Sequence, residues 1–455
     1  MTIRHLLVPS YLLLCVLLGG ASAAGQLSNL LLQLAALPII VTALLSRSQT
    51  PAPPPARALI ALTAAMVGLL ILQLVPLPPA LWQLLPGRDS VAEGYRMLGQ
   101  DLPWLPVSLM PDDTLAALLW VLPAIGIVLA IIRLGAFKGA YVAWALSAAA
   151  VLSVLVGAMQ VAEGRDSAWY FYSVTNFGVA VGFFANTNHL ATLLLMVIPF
   201  QFALQAERLS KGGSLRHASG TIVMTSAILV LIVVGLLLST SIAGLGLVIP
   251  VLAASVLILG KPRPSRTRWV IAGMAVAGTA AISLMLWSPI SSTLAPTSFS
   301  ASSGSRQEYI STTLDAARHH LPLGTGIGSF REVYRMFEDP MAVDPTYVNH
   351  AHSDYVELAL ETGIPGLVLA ALFLFWWFRR AVEIWRSQQP NFYAQAAVIA
   401  SAAALLHSLV DYPLRTAAIA ALFATCSGLM TEARSPLRRR RSTSGEDAAR
   451  HLSAD

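Results

Sequence analysis

The chain has 455 residues, of which 56% are hydrophobic and only 11% are charged, and its mean hydropathy is +0.67. A soluble protein needs charged groups on about a quarter of its residues, so the composition predicts a polytopic membrane protein. The net charge is +6, but Cys15 and Cys426 both lie in apolar runs, which excludes a disulfide framework or a zinc-type cysteine cluster. The sequence contains no phosphate-binding loop or dinucleotide fingerprint, which argues against ATP-driven transport by this chain.

We predict an all-α fold with about twelve transmembrane helices, because a hydrocarbon core about 30 Å thick requires roughly 20 apolar residues per helix. The polar turn Ser239-Thr240-Ser241 divides one long apolar run into two spans. Residues 1–23 could instead form a cleavable signal peptide, but the next span follows so closely that a retained helix is preferred. The predicted spans are 6–24, 28–46, 58–77, 114–132, 139–161, 189–205, 221–239, 243–260, 269–288, 364–378, 394–410 and 416–431.

The distribution of basic residues predicts the orientation of these spans. Most of the 29 lysine and arginine residues fall in loops on the side of the N-terminus, and the positive-inside rule then places both termini in the cytoplasm. The four arginines at 438–441 are predicted to lie near anionic lipid headgroups, and no nucleic-acid partner is expected. The chain divides into an N-terminal bundle (1–180), a core (181–432) and a basic cytoplasmic tail (433–455).

The longest predicted non-cytoplasmic segment, 289–363, resembles a small folded unit between spans nine and ten. Ser305 and Glu308 form a capping box that predicts a helix over 306–320, which Pro322 and three following glycines end. Apolar side chains from Phe330 to Phe337 repeat at helical spacing and predict a second short helix. A third helix is predicted from Ser353 to 363. We therefore expect a helical lid on the outer membrane face.

Four sequence segments together resemble one known family. His352-Ser353 is followed by nine residues, a glycine, two residues and a second glycine. The other segments are an Asn-x-Asn-His run at 186–189, Ser305-Arg306 with the glycine-rich stretch 321–330, and the late segment 407–415. Over residues 180–430 this pattern resembles the bacterial O-antigen ligase and polysaccharide polymerase superfamily, and 181–432 would be its ligase/polymerase-like core.

The resemblance implies a metal-independent glycosyltransferase without a cofactor in the bacterial inner membrane. Members of the superfamily take a glycan from undecaprenyl diphosphate on the periplasmic face. They pass it to lipid A-core in ligases, or to a second lipid-linked glycan in polymerases. Membrane lipid and other envelope polysaccharide assembly proteins are the remaining expected partners. The reaction requires a cation for the departing diphosphate and benefits from a base for the acceptor hydroxyl.

Arg306 and His352 are the candidate catalytic residues. A guanidinium grips two phosphate oxygens in a planar fork, which suits Arg306 to the diphosphate, whereas the structural alternative is an ion pair with Glu308. An imidazole titrates near neutral pH, which suits His352 to the acceptor hydroxyl. Its alternatives are a packing or helix-capping histidine, or a metal site with His350 and Asp354, for which the sequence lacks a helical set of ligands.

The remaining candidates would bind substrate. Many family members carry an arginine where this chain has Ile242, so a second cation must come from elsewhere or be absent. Arg415 is the alternative, although a structural pair with Asp411 explains it equally well. The other candidates, which could equally be helix caps or solvated lid residues, are Asn186, Asn188, His189, Ser353 and Asp354.

Two other classes of function remain open. Twelve spans with cytoplasmic ends are common among secondary transporters, so a carrier or a flippase for an envelope glycolipid is the main alternative. Against it, the predicted spans are almost free of charge and the ionisable residues gather in the outer loops. A non-catalytic scaffold for envelope assembly is the third class, and substitutions of Arg306 and His352 would separate it from an enzyme.

Overall fold

The computed structural model describes residues 3–23, 26–46, 51–211, 215–260, 297–341 and 348–432. These residues are mostly helical, which confirms the predicted all-α class. The α-helices are α1 (Leu7–Leu18), α2 (Leu27–Leu45), α3 (Pro54–Leu74), α4 (Pro79–Trp82), α5 (Asp89–Met97), α6 (Pro111–Trp120), α7 (Leu122–Ile132), α8 (Gly139–Glu163), α9 (Thr187–Ser210), α10 (Leu215–Ser239), α11 (Ile242–Val256), α12 (Thr297–His319), α13 (Phe330–Phe337), α14 (Asp354–Arg386), α15 (Phe392–His407) and α16 (Ala417–Met430). Short 3₁₀ helices occupy Ile3–Leu6, Gly164–Asp166, Leu257–Leu259 and Pro413–Arg415, and strands β1 (Pro76–Leu77) and β2 (Leu105–Pro106) form one antiparallel pair.

Within the described residues, eight helices are long and apolar enough to cross a membrane, and three shorter apolar helices accompany them. The shorter helices are Ile3–Leu18, α15 and α16. The predicted span 269–288 and the predicted tail 433–455 lie outside the described residues, so the expected number of twelve spans stays a prediction. The chain is nevertheless a multi-pass membrane protein by the length and composition of its helices.

Two predicted boundaries are wrong, the end of the tenth span and the start of the first lid helix. The predicted tenth span ends at 378, before Arg379 and Arg380, whereas α14 continues to Arg386. The helix continues because Arg380 is buried and its guanidinium donates two hydrogen bonds, of 2.9 and 2.8 Å, to the carbonyl oxygen of Met430 at the end of α16. A cation at a helix C-terminus is favourable there, so the basic pair does not end the span.

The bundle is organised around α9, which is buried along almost its whole length. Helices α8, α10, α11 and α15 pack against it. A helix that is apolar on every side is expected at the centre of a bundle rather than at its edge, and α9 shows this composition from Leu190 to Phe200. Its first residues consequently enter a closely packed region where several helix ends meet.

A second, smaller core joins the predicted lid helices. Tyr334 on α13 is buried among residues of α12 and α14, together with Ala316, Ala317, Phe330, Val333, Ala351 and Leu360. The predicted second helix over 330–337 is confirmed. The predicted start of the first helix is wrong, because α12 begins at Thr297 and therefore includes Ser305 instead of being capped by it. The last proline before it is Pro296, so no residue from 297 to 305 interrupts the helix.

Gln73, near the end of α3, connects this smaller core to the bundle. Its amide nitrogen donates to the carbonyl oxygen of Glu361, at 2.9 Å, and its amide oxygen accepts from the backbone N–H of Ile327, at 3.1 Å. Ile327 lies in the glycine-rich loop 321–329, between α12 and α13. This loop, the end of α3 and the first half of α14 therefore meet at one end of the bundle, which we call the site end.

Candidate functional site

His352 lies immediately before α14 in an unusual backbone conformation. Its φ is 54°, in the left-handed region, which costs a residue other than glycine about 1–2 kcal/mol. The Nδ1 atom is 3.5 Å from Oδ1 of Asp411, and the ring stacks at 5.9 Å on Tyr309 of α12. Tyr412 contacts the same ring edge-on at 5.2 Å. With 20% of its side chain exposed, the imidazole is held in place but can still be reached.

Asp411 is fully buried beneath His352, in the connection between α15 and α16. Two further imidazoles, those of His189 and His407, act on its charge. Burial by itself would raise the pKa of Asp411, but these histidines and His352 hold that pKa well below its usual range. His407 is itself fixed by a 2.8 Å hydrogen bond between Nδ1 and Oγ1 of Thr192. The site end therefore places a buried carboxylate, with a lowered pKa, against the His352 ring.

Arg306 lies on α12 one helical turn before Tyr309, so both residues share one face of the helix. Its side chain is half-buried, and its charge acts on His407 across the site. Among the described residues it has neither a hydrogen bond nor an ion pair, so the predicted alternative pair with Glu308 is not formed. Arg306 therefore presents a guanidinium on the Tyr309 side of His352.

Arg415 has the opposite environment, because three carboxylates of α14 surround it. Its guanidinium lies 2.7 Å from Oε2 of Glu361, 3.2 Å from Oε1 of Glu357 and 3.7 Å from Oδ1 of Asp354. The acids are three and four residues apart, which places them on one face of a helix. The expected alternative, an Asp411–Arg415 pair, is wrong.

The reason for this difference is the turn between the two residues. Pro413 begins a 3₁₀ turn that ends at Arg415, so Asp411 and Arg415 do not lie one above the other as they would in an α-helix. Burial by itself would lower the pKa of Arg415, but the three carboxylates raise it above its ordinary value. The guanidinium stays charged and is already neutralised by acids, so the structure gives no support to Arg415 as a ligand for a diphosphate.

Asn186, Asn188 and His189 begin α9 beside Tyr412. Asn186 caps the helix, since its side-chain oxygen accepts from the N–H of Asn188 at 2.8 Å, and its amide nitrogen is 3.3 Å from the Tyr412 hydroxyl. Asn188 accepts a 2.7 Å hydrogen bond from Ser241. His189 is buried edge-on against Tyr412, at 5.0 Å, with neither ring nitrogen hydrogen-bonded within the described residues. Capping explains Asn186 well, and substrate binding by this group stays a prediction.

Ser353 and Asp354 attach the start of α14 to the connection between α15 and α16. The Ser353 hydroxyl donates to the carbonyl oxygen of Ser408 at 3.4 Å. Oδ2 of Asp354 accepts from the Ser408 hydroxyl, at 2.7 Å, and from the N–H of Leu414, at 3.3 Å. Both side chains are therefore engaged in positioning His352, and a direct contact with substrate stays a prediction for them.

The alternative metal site is not formed in the described part of the chain. His350 turns to Glu357, with Nδ1 2.8 Å from Oε1, whereas His352 faces Asp411. Because the two imidazoles diverge, they do not share a ligand position with Asp354. No group of three or more histidine, cysteine, aspartate or glutamate side chains among the described residues is arranged to hold a metal ion.

Sequence reasoning missed the central aromatic residue, Tyr412. Its ring contacts His350 at 4.1 Å, His352 at 5.2 Å and His189 at 5.0 Å, so it separates the imidazoles from one another. Burial, followed by the charge of Asp411, raises the pKa of its hydroxyl, which therefore remains protonated. The signal was available, because Tyr412 follows Asp411 within the late segment 407–415.

Comparison with known protein families finds one match, which covers part of this arrangement. Residues 227–371 match the family model described as O-antigen ligase. The match includes Arg306, His352, Ser353 and Asp354, and it ends before Asp411 and Arg415. No curated protein matches the chain. Residues 227–371 are therefore similar to the O-antigen ligase family, and this match in a multi-pass membrane protein is consistent with the O-antigen ligase and polymerase superfamily of membrane glycosyltransferases.

Proposed function

We propose that this protein transfers a glycan from undecaprenyl diphosphate to an acceptor hydroxyl on the periplasmic face of the bacterial inner membrane. The observation that supports this proposal most directly is that the half-buried guanidinium of Arg306 lies one helical turn from the tyrosine that stacks on the His352 imidazole. His352 stacks on Tyr309, and Arg306 precedes that tyrosine by one turn on the same helix. The O-antigen ligase match covers both residues.

The two groups have complementary roles in the proposed reaction. His352 accepts the proton of the acceptor hydroxyl as its oxygen attacks the anomeric carbon of the donor sugar. The bond from that carbon to the diphosphate oxygen breaks, and its electron pair leaves with the diphosphate. Arg306 stabilises the negative charge that accumulates there, as a positioned cation does in a water-poor site. Buried Asp411 stabilises the imidazolium that forms.

Reconstitution into vesicles with a lipid diphosphate-linked oligosaccharide tests this function, and Arg306→Gln is the decisive variant. Transfer should fall by about 10²–10³-fold, because glutamine is polar and can donate hydrogen bonds but carries no charge. Chain growth and transfer to lipid A-core are measured separately, since growth identifies a polymerase and transfer to lipid A-core identifies a ligase.

Arg318→Gln is the matched control for this variant. Arg318 lies on the same helix, is 73% exposed and pairs with Asp315, so its replacement should leave transfer unchanged. Wild-type rates in Arg306→Gln, with the protein inserted in the same amount, would remove the charge-stabilising role of Arg306. Absence of both activities in the wild type would contradict the proposed function itself.

Asp411→Asn tests the carboxylate as a positioning residue. Asparagine preserves the shape but cannot stabilise a protonated imidazole, so kcat should fall about ten-fold or more. KM for both substrates should change little, because Asp411 is fully buried and does not reach them. A purely structural role would lower the melting temperature and the amount of active protein together, without this separation of kcat from KM.

A further inference from the structure

Two fully buried side chains near Asp411 have no role in the reaction proposed above, Thr192 on α9 and His407 at the end of α15. Oγ1 of Thr192 is 2.8 Å from Nδ1 of His407 and 2.9 Å from the carbonyl oxygen of Asn188, one turn earlier on α9. A threonine hydroxyl carries one proton, so it donates only one of these two hydrogen bonds. Which bond it donates decides which nitrogen of His407 carries a proton.

The two ways of placing these protons differ in what they leave unpaired. If the hydroxyl donates to the Asn188 carbonyl oxygen, as threonine commonly does within a helix, it accepts from an N–H at Nδ1 of His407. Only the lone pair of Nε2 then has no partner among the described residues. If the hydroxyl donates to Nδ1 instead, the proton of the neutral ring lies on Nε2 as a buried donor without an acceptor. Buried donors are left unpaired more rarely than buried acceptors, so the contacts favour the proton on Nδ1.

His407 and Asp411 are placed so that they could form a hydrogen bond, yet they do not. The N–H of Asp411 donates to the carbonyl oxygen of His407 at 3.0 Å. This is the α-helical bond from residue i to i−4, so both side chains lie on one face of the last turn. Nε2 of His407 and Oδ2 of Asp411 are both buried, and neither has a hydrogen bond within the described structure. A proton on Nδ1 explains this, because Nε2 then presents only a lone pair to the carboxylate.

The missing bond leaves the charge of Asp411 available to His352. Oδ1 of Asp411 accepts from the N–H of Tyr412 at 2.9 Å and lies 3.5 Å from Nδ1 of His352. A hydrogen bond to a carboxylate stabilises its charge, and a neighbouring imidazolium then gains less from that charge. A second N–H, from His407 to Oδ2, would therefore weaken the support that Asp411 gives to a protonated His352.

We infer that Thr192 and His407 form a positioning pair for Asp411, in which the Thr192 hydroxyl holds the His407 proton on Nδ1 and thereby keeps Asp411 available to His352. The proton positions rest on the contacts alone, whereas the effect on the rate of transfer rests on the function proposed above. Both residues are fully buried, so they do not touch substrate and act only through Asp411.

Nitrogen-15 NMR of the full-length protein in phosphatidylcholine vesicles tests the proton positions directly, because a ring nitrogen that carries a proton differs in chemical shift from one that does not. Labelled histidine together with labelled serine selects the two His-Ser pairs of the sequence, 352–353 and 407–408. The variant His352→Asn tells these two pairs apart. We expect the proton on Nδ1 of His407 in the wild type, and a proton on Nε2 would overturn the inference.

Thr192→Val isolates the hydroxyl, because valine is similar to threonine in shape but cannot form the hydrogen bond. Nδ1 of His407 then loses its acceptor, so the proton should move to Nε2 and bond to Oδ2 of Asp411. The Nδ1 signal of His352 should shift as its contact with Asp411 weakens. The kcat for transfer should fall about three-fold or more with KM unchanged. Thr192→Ser keeps the hydroxyl and should behave as the wild type in all three measurements.

Thr425→Val is the matched control. Thr425 on α16 is also fully buried and donates to the carbonyl oxygen four residues earlier, at 2.8 Å, but it has no hydrogen bond with a histidine in the described part of the chain. Its replacement should change neither the histidine protons nor kcat. A His407 proton that stays on Nδ1 in Thr192→Val, or moves without any change in kcat, would contradict the inference. Equal losses of kcat in Thr192→Val and Thr425→Val would do the same.

The NMR and transfer measurements separate this inference from the proposed function. The expected proton positions and their change in Thr192→Val, in a protein without any glycan transfer, would contradict the function and support the positioning pair. Transfer activity together with a proton on Nε2 of wild-type His407 would support the function and overturn the pair.

Discussion

His352→Asn should lower glycan transfer by about 10²–10⁴-fold, the range expected when a general base is removed. The loss follows from the geometry, since the His352 ring contacts both Tyr309 and Asp411. Asparagine is the informative replacement because it tolerates the left-handed conformation that this position requires. The backbone at φ 54° should therefore be preserved while the base is lost.

Transfer is measured in vesicles at equal protein content, with the melting temperature determined on the same preparation. His319→Asn is the matched control, because His319 is an exposed histidine on α12 that contacts Phe337 and His320. It should keep wild-type transfer. If His352→Asn retained more than a tenth of the wild-type rate, His352 would not be the base, and its ring would only shape the site.

Arg415→Gln should destabilise the protein by about 3–5 kcal/mol, the range observed when one partner of a buried ion pair is removed. The substitution leaves Asp354, Glu357 and Glu361 next to one another without a cation. Arg306→Gln removes the same charge from a half-buried guanidinium that has no acid partner within the described structure, so it should leave stability nearly unchanged. We thus expect Arg415→Gln to lower the free energy of unfolding, and Arg306→Gln to lower the rate of transfer without this loss of stability.

Thermal unfolding in one detergent, followed by the loss of monodisperse protein, measures the difference. Arg415→Lys should recover part of the stability, because an ammonium restores the charge but not the planar fork. A melting temperature for Arg415→Gln within about one degree of wild type would show that the three acids do not depend on Arg415. These acids would then have another source of compensation.

Local sequence patterns indicated candidate residues, whose roles stay predictions, but they did not indicate the partners of those residues. His352 and Arg306 stand in motifs whose spacing is visible in the chain, and both lie at the site end. The partners of Arg415 could not be predicted in this way, because Glu361 is 54 residues away and only the packing of α14 against the α15–α16 connection brings them together.

For the predicted spans too, the sequence did not indicate the tertiary partners of polar side chains. Apolar runs located the long apolar helices but not α4 or α5. The run ending at 378 gave no sign that Arg380 donates to the carbonyl oxygen of Met430. The assumed i, i+4 pair of Asp411 and Arg415 failed because Pro413 replaces an α-helical turn with a 3₁₀ turn. Both errors concern polar side chains whose partners are set by tertiary packing.

The His-Ser…Gly motif contains two residues that are needed for different reasons, Gly363 for the backbone of the break in α14 and His352 for the proposed chemistry. Gly363 has φ 55°, and a β-carbon there would overlap the carbonyl oxygen of Pro322, so this glycine is a steric necessity of the joint between helix and loop. His352, eleven positions earlier, is needed instead as the proposed base for the acceptor hydroxyl. A descendant that had lost transfer but kept its shape would retain the glycine and be free to change the histidine. Of the two, only the imidazole distinguishes a working enzyme from an inactive copy of its scaffold.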